Sequence, residues 1–302
     1  MKKHFSPNGF TLVEMSIVIV IIGLLIAGVI AGKDLIQNSK IDSIAADMQH
    51  YEGAFIMFKK KYLAMPGDMT DAASTMVVNG VLEGAVPTIG SYSSYGNGNG
   101  DGILASAAGL SVYASGVTEK YLVWRHMALA GFIKGTYTGF DSNDHSITGD
   151  AVNAPAIGKD VPAGPFKNSG YTIYTPVDSL NNYIVSEQII SYGSTNAGAP
   201  VTNSSAGLFA GDLTGGVLTP TQTEMLDKKL DDGLPNSGGL QADTSVFNDS
   251  AGGHVCATVA PPTCDPITHM CSVADILHPF VPQYKVTEGG TVCHPFYIIN
   301  NR

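Results

Sequence analysis

The sequence predicts a mixed α and β protein with many loops, mounted on one long N-terminal helix. Three observations predict it. Met15 to Gly32 holds no ionised side chain, and apolar residues then recur in steps of three and four as far as Tyr62. Further helical patterns follow the turn-forming residues at Pro66-Gly67, Thr118 and Thr219-Pro220. Three runs, Tyr171 to Thr175, Tyr183 to Ile190 and Phe296 to Ile299, are rich in β-branched and aromatic residues, as strands are.

The first helix carries most of the information. Lys2 and Lys3 precede the apolar run, and Glu14 stands at its mouth within Gly9-Phe10-Thr11-Leu12-Val13-Glu14. A carboxylate in that place is costly, so it needs a partner or a purpose. Phe10 to Ala31 would span roughly 33 Å as a helix, enough to cross the hydrocarbon of a bilayer. The two lysines put the N-terminus on the cytoplasmic side and the rest of the chain outside. Beyond Lys33-Asp34, the residues Ile41, Ile44, Met48, Tyr51, Phe55, Phe58 and Tyr62 form one stripe, with charged residues largely between them. The helix is therefore expected in two parts, 10–32 for the membrane or a filament core and 33–62 as an amphipathic backing to a globular domain. Gly28-x-x-x-Gly32, with Gly23 ahead of it, permits close approach of another helix.

The globular region is expected over 63–302. Pro66 and Gly67 end the long helix, and Asp68 is a suitable cap for a short second one. A third helix is expected from Glu119 to Ile133, capped by Thr118 and halted at Gly131 to Gly135. It holds the single tryptophan, Trp124, and His126, read as a core and a rim residue of a packed helix rather than a ligand cage. Thr219-Pro220 starts a fourth helix, a cap followed by a first-turn proline, which stops at Asp231-Asp232-Gly233.

Composition narrows the functions. The 302-residue chain has a formal net charge of −10, a surface that repels nucleic acid unless a basic patch overrides it. Only Lys59-Lys60-Lys61 clusters, and three lysines closing a helix match its dipole. Cys256, Cys264, Cys271 and Cys293 all lie in the C-terminal part, about 250–302. An even number in an exported domain points to two disulfides, with three connectivities open. His254, His269 and His294 lie near them, but no zinc-site spacing appears.

One loop has the opening of a calcium site. Asn97-x-Asn99-x-Asp101-Gly102 presents side-chain oxygens at alternate positions with glycine after the third. The twelfth position is Ala108, not a bidentate acid, so a remote acid such as Glu119 would have to complete it. The simpler reading is an Asn-Gly turn. Asp231-Asp232 reads as a solvated helix end more readily than as an ion site. No H-E-x-x-H, G-x-S-x-G or phosphate-binding G-x-x-x-x-G-K occurs, so no enzyme is expected, a membrane-anchored periplasmic enzyme being the lesser alternative.

The basic leader, Gly9-Phe10, Thr11-Leu12-Val13-Glu14 and the uncharged run together resemble the class III leader of type IV pilins and of type II secretion pseudopilins. The resemblance implies that prepilin peptidase cuts after Gly9, leaving a leader of 1–9, and methylates the new amine of Phe10. It implies that Glu14 serves subunit assembly, its carboxylate facing the Phe10 ammonium within one chain or between staggered neighbours. It implies a fold in which the long helix packs on an antiparallel sheet with large loop-rich insertions. It also implies partners: the peptidase, other pilin or pseudopilin subunits, the inner-membrane assembly platform and the membrane itself. The subunit would be a single-pass inner-membrane protein with a periplasmic domain, then part of a pilus or pseudopilus. Many adhesive members carry a proline in this helix, and none occurs here between Pro7 and Pro66. The size of the outer region favours, as an alternative, a minor tip subunit that binds a surface or a secreted cargo. Calcium is used by some pseudopilins, which adds to the reading of the Asn97–Asp101 loop.

Overall fold

A computed structural model describes residues 11–78, 81–82, 96–104, 119–139, 155–175, 188–194, 213, 216–234, 237–242, 272–274, 282–284 and 295–299. The fold is α+β: a long N-terminal helix and an antiparallel four-stranded sheet. The helix, α1, runs over Leu12–Tyr62 without a break. The chain divides into two compact units within it, Met1–Ser43 and Ile44–Arg302.

In the first unit α1 carries no ionised side chain from Met15 to Gly32, and its large apolar residues from Leu12 to Ile36 are uncovered. Leu12 is 86% exposed, Leu24 70% and Val29 72%. The second unit holds Ile44–Tyr62 and everything after it. Here Ile44, Met48, Phe55 and Phe58 of the expected stripe are fully buried. Lys59, Lys60 and Lys61 occupy the last turn, where cations meet the negative end of the helix dipole.

A short α2, Ala72–Thr75, follows, with Asp71 rather than Asp68 at its cap position. Strands β1 (Val77–Val78) and β2 (Val81–Leu82) pair antiparallel. Helix α3 spans Glu119–Leu129, four residues shorter than the expected end at Ile133. The reason is a left-handed glycine. Gly131 has φ +80°, and the bonds Gly131 N–H to Ala128 O (3.0 Å) and Phe132 N–H to Met127 O (3.0 Å) close the helix in a Schellman motif. The expected cap Thr118 lies outside the described residues.

The main sheet has the order β3-β4-β8-β5, from Ser169–Tyr174, Ile189–Ser194, Pro295–Ile298 and Leu240–Ala242. All its pairings are antiparallel. A second small pair joins β6 (Ser272–Ala274) to β7 (Pro282–Tyr284). β4 lies later than the expected run: it begins at Ile189 and continues through Gly193, while 181–187 fall outside the described residues. Register puts Tyr171 opposite Tyr192, Ile173 opposite Ile190, and Ile190 and Leu240 opposite Tyr297. Because alternate residues share a face, these six side chains line one face of the sheet. The second half of α1 lies on it, with Tyr171 Oη donating to Asp47 (2.8 Å) and Tyr297 Oη donating to Glu52 (3.2 Å).

Helix α4, Pro220–Leu230, starts as expected. Thr219 Oγ1 accepts from Gln222 N–H at 3.2 Å, and Gln222 Oε1 accepts from Thr219 N–H at 3.0 Å, a complete capping box ahead of a first-turn proline.

Candidate functional site

Two parts of the chain carry function-grade chemistry. The first is the joint made by the turn Pro66-Gly67-Asp68, the loop 96–102 and α3. Asp68 is not a helix cap. Its Oδ1 accepts from the amides of Gly100 (2.6 Å) and Asp101 (3.1 Å), and its Oδ2 from Gly102 (2.9 Å). Burial pushes the Asp68 carboxyl above its ordinary range, while the amides of Gly102 and Gly100 pull it down and the nearby Asp101 charge raises it. The two glycine-bearing segments fit together only because side chains are missing. A Cβ on Gly98 would lie 2.3 Å from Asp68 Cα, and one on Gly67, at φ +91°, would lie 2.5 Å from Glu119 O.

His126 fastens the joint from behind. Fully buried, it is a core residue and not the rim residue expected. Gly67 N–H donates to its Nδ1 at 2.9 Å, which leaves Nε2 as the protonated nitrogen, donating to Gly96 O at 2.8 Å. Desolvation lowers its pKa to about 4, opposed by the bond to Gly96 and assisted by the Arg125 charge. Phe58 of α1 stacks on the ring at 6.1 Å between centroids. Trp124 is likewise buried, 5.0 Å from Tyr51 and edge-on to it.

The expected ion ligands divide between two tasks. Asn97 Oδ1 turns to α2, accepting from Ala73 N–H at 2.8 Å. Asn99 Oδ1 accepts from Asp101 N–H (2.9 Å), its Nδ2 donates to Asp101 Oδ2 (2.8 Å), and its own N–H donates to Glu119 Oε1 (2.9 Å). Asp68, Asp101 and Glu119 each offer an oxygen within 4.8 Å of the others, and so do Asp227, Asp231 and Asp232 at the end of α4. Of the first three, the loop motif contains Asp101, and Glu119 was the example of a remote acid. Asp68 was hidden because its partners lie 32 to 34 residues later. Asp231 and Asp232 act as turn acceptors: Asp231 takes the Gly239 amide, and Asp232 takes Leu234 N–H (2.8 Å) and Ser237 Oγ (2.7 Å). They shape the entry to β5.

The second part is the start of α1. Thr11 N–H and Thr11 Oγ1 both donate to Glu14 Oε2 at 2.8 Å, and Glu14 N–H donates to Thr11 Oγ1 at 3.2 Å. This is a capping box, with Thr11 at the cap and Glu14 three residues into the helix. The threonine-x-x-glutamate spacing ahead of an apolar run was the available signal for Thr11. The box meets two amides that the helix start leaves without intrahelical partners, and it sets a carboxylate at the mouth of the apolar surface. By length and composition the helix can cross a membrane.

Residues 6–30 match the family model described as the prokaryotic N-terminal methylation motif. The chain fits a prepilin-like protein. No curated protein and no solved structure shows a significant match to it. A prepilin-type N-terminus supports a pilin or pseudopilin, a structural subunit rather than an enzyme, anchored through an apolar helix. Gly9 and Phe10, the expected processing pair, lie outside the described residues, as do Cys256, Cys264, Cys271 and Cys293.

Proposed function

We propose that the chain is a structural subunit, cut between Gly9 and Phe10 by prepilin peptidase, methylated on Phe10, and polymerised through α1 into a type IV pilus or type II secretion pseudopilus. The observation that carries this reading is an uncovered apolar helix opening on a capped carboxylate, within a matched methylation motif. Large side chains from Leu12 to Ile36 are left outside any core. Burying each is worth about 1.5–3 kcal/mol, so the surface demands cover from lipid or from neighbouring helices. Cleavage would place an ammonium on Phe10, four residues before Glu14, and a neighbour's ammonium can replace it as the subunit leaves the membrane. The N-terminus faces the cytoplasm and the outer unit the periplasm until the assembly platform draws the subunit into the filament.

The size of Ile44–Arg302 supports a second reading in the same machinery, a minor tip subunit whose outer unit binds a surface or cargo. Calcium is proposed for the outer loop, with Asp68 and Glu119 beside Asp101 supplying the oxygen donors that a hard cation takes. The four cysteines are proposed to form two disulfides. The assembly reading predicts that Glu14→Ala is processed and methylated normally yet yields few filaments. Filaments in wild-type amount would remove Glu14 from the mechanism.

A further inference from the structure

Loop 96–102 contains two Asn-Gly pairs and one Asp-Gly pair in seven residues. Asn-Gly is the dipeptide most prone to spontaneous deamidation, because glycine leaves the following amide nitrogen open to attack. In that reaction the Gly100 nitrogen gives up its proton and bonds to Asn99 Cγ. The Cγ–Nδ2 bond breaks, and the side-chain nitrogen leaves as ammonia carrying that proton. Water then opens the cyclic imide to aspartate or isoaspartate.

The structure blocks each participant in that step. Gly100 N–H is held by Asp68 Oδ1 at 2.6 Å, so its proton is engaged and a carboxylate opposes negative charge on the nitrogen. Gly102 N–H, the equivalent nitrogen after Asp101, is held by Asp68 Oδ2 at 2.9 Å. The Asn99 side chain is itself tied at both ends to Asp101. Gly98 N–H donates to Met69 O at 2.8 Å, in a place too tight for even a methyl group. We propose that Asp68 protects the loop from imide formation at Asn99 and Asp101, and that Asn99 is the loop's first site of spontaneous modification when it opens. Asn99 precedes Asn97 because it is exposed, whereas Asn97 is half-buried and followed by buried Gly98. Conversion of Asn99 places a further carboxylate beside Asp68, Asp101 and Glu119 and removes the amide donor to Asp101. Modification thus favours further opening.

The test is peptide mapping by mass spectrometry of the full chain in detergent with chelator, aged at neutral pH either folded or in urea. Folded wild type should convert Asn99 at least about tenfold more slowly than the urea sample, as for a reaction through a minor open state. Folded Asp68→Asn should lose most of that difference while its thermal transition persists. If this variant does not fold, the wild-type comparison and the order Asn99 before Asn97 decide alone. Equal rates in folded and urea-treated wild type, or full protection in folded Asp68→Asn, would overturn the proposal.

Discussion

The two halves of α1 obey different rules although they are one helix. From Leu12 to Ile36 its large apolar side chains are exposed, and at its start the Thr11–Glu14 box bonds residues three apart. In the second half Ile41, Ile44, Met48, Phe55 and Phe58 of the stripe are buried, and Asp47 and Glu52 are joined to tyrosines 124 and 245 residues away. A helix needs burial along at least one face to be stable in water. Where the chain supplies that cover itself, the helix is a structural element. Where it does not, the cover must come from elsewhere, and that is the physical content of the assembly reading.

The comparison breaks most directly by truncating one buried and one exposed apolar residue. Phe58→Ala should cost about 3–5 kcal/mol of outer-unit stability in chemical unfolding, as for any large core aromatic. Ile22→Ala, at a position 49% exposed, should leave that unfolding curve unchanged and alter only filament yield. Equal effects in unfolding would mean that the halves do not differ as described.

Acid should distinguish the halves next. His126 is held neutral with a pKa of about 4, below the value of about 6.5 it takes when unfolded. The unfolded chain therefore binds the extra proton first. Outer-unit stability from this group is complete above pH 6.5 and declines as pH falls toward 4. His126→Gln should be less stable at neutral pH and show a flatter decline in melting temperature over that window.

What the sequence could reveal depended on range. The stripe of α1 and the Thr219-Pro220 start of α4 rest on residues within a few positions of one another, so they were legible, whereas α3 ends before the expected Ile133. Strand β5, Leu240-Gln241-Ala242, is only three residues long and holds no β-branched or aromatic residue, and it pairs with β8, some 55 residues later. Asp68 reads locally as a helix cap, yet three distant amides outcompete that role. His126 likewise gives no sign that it joins Gly67 to Gly96. The leader motif was legible because its chemistry is linear, and the Thr11–Glu14 box lies within it at the spacing of a capping box.

Smaller effects sharpen the picture. Tyr171→Phe removes the donor to Asp47, and a bond to a charged group is worth about 1.5–3 kcal/mol in unfolding measurements of the outer unit. Asp101→Ala should abolish any rise in melting temperature caused by calcium, an effect of about 1.4 kcal/mol at a concentration ten times the dissociation constant. An equal shift with calcium and with chelator would remove calcium from the loop.

The most direct test of the account is the N-terminus of the mature chain, read by mass spectrometry in membrane and sheared-filament fractions. The account predicts N-methylated Phe10 in the filaments. An intact Met1 confined to the membrane would contradict it.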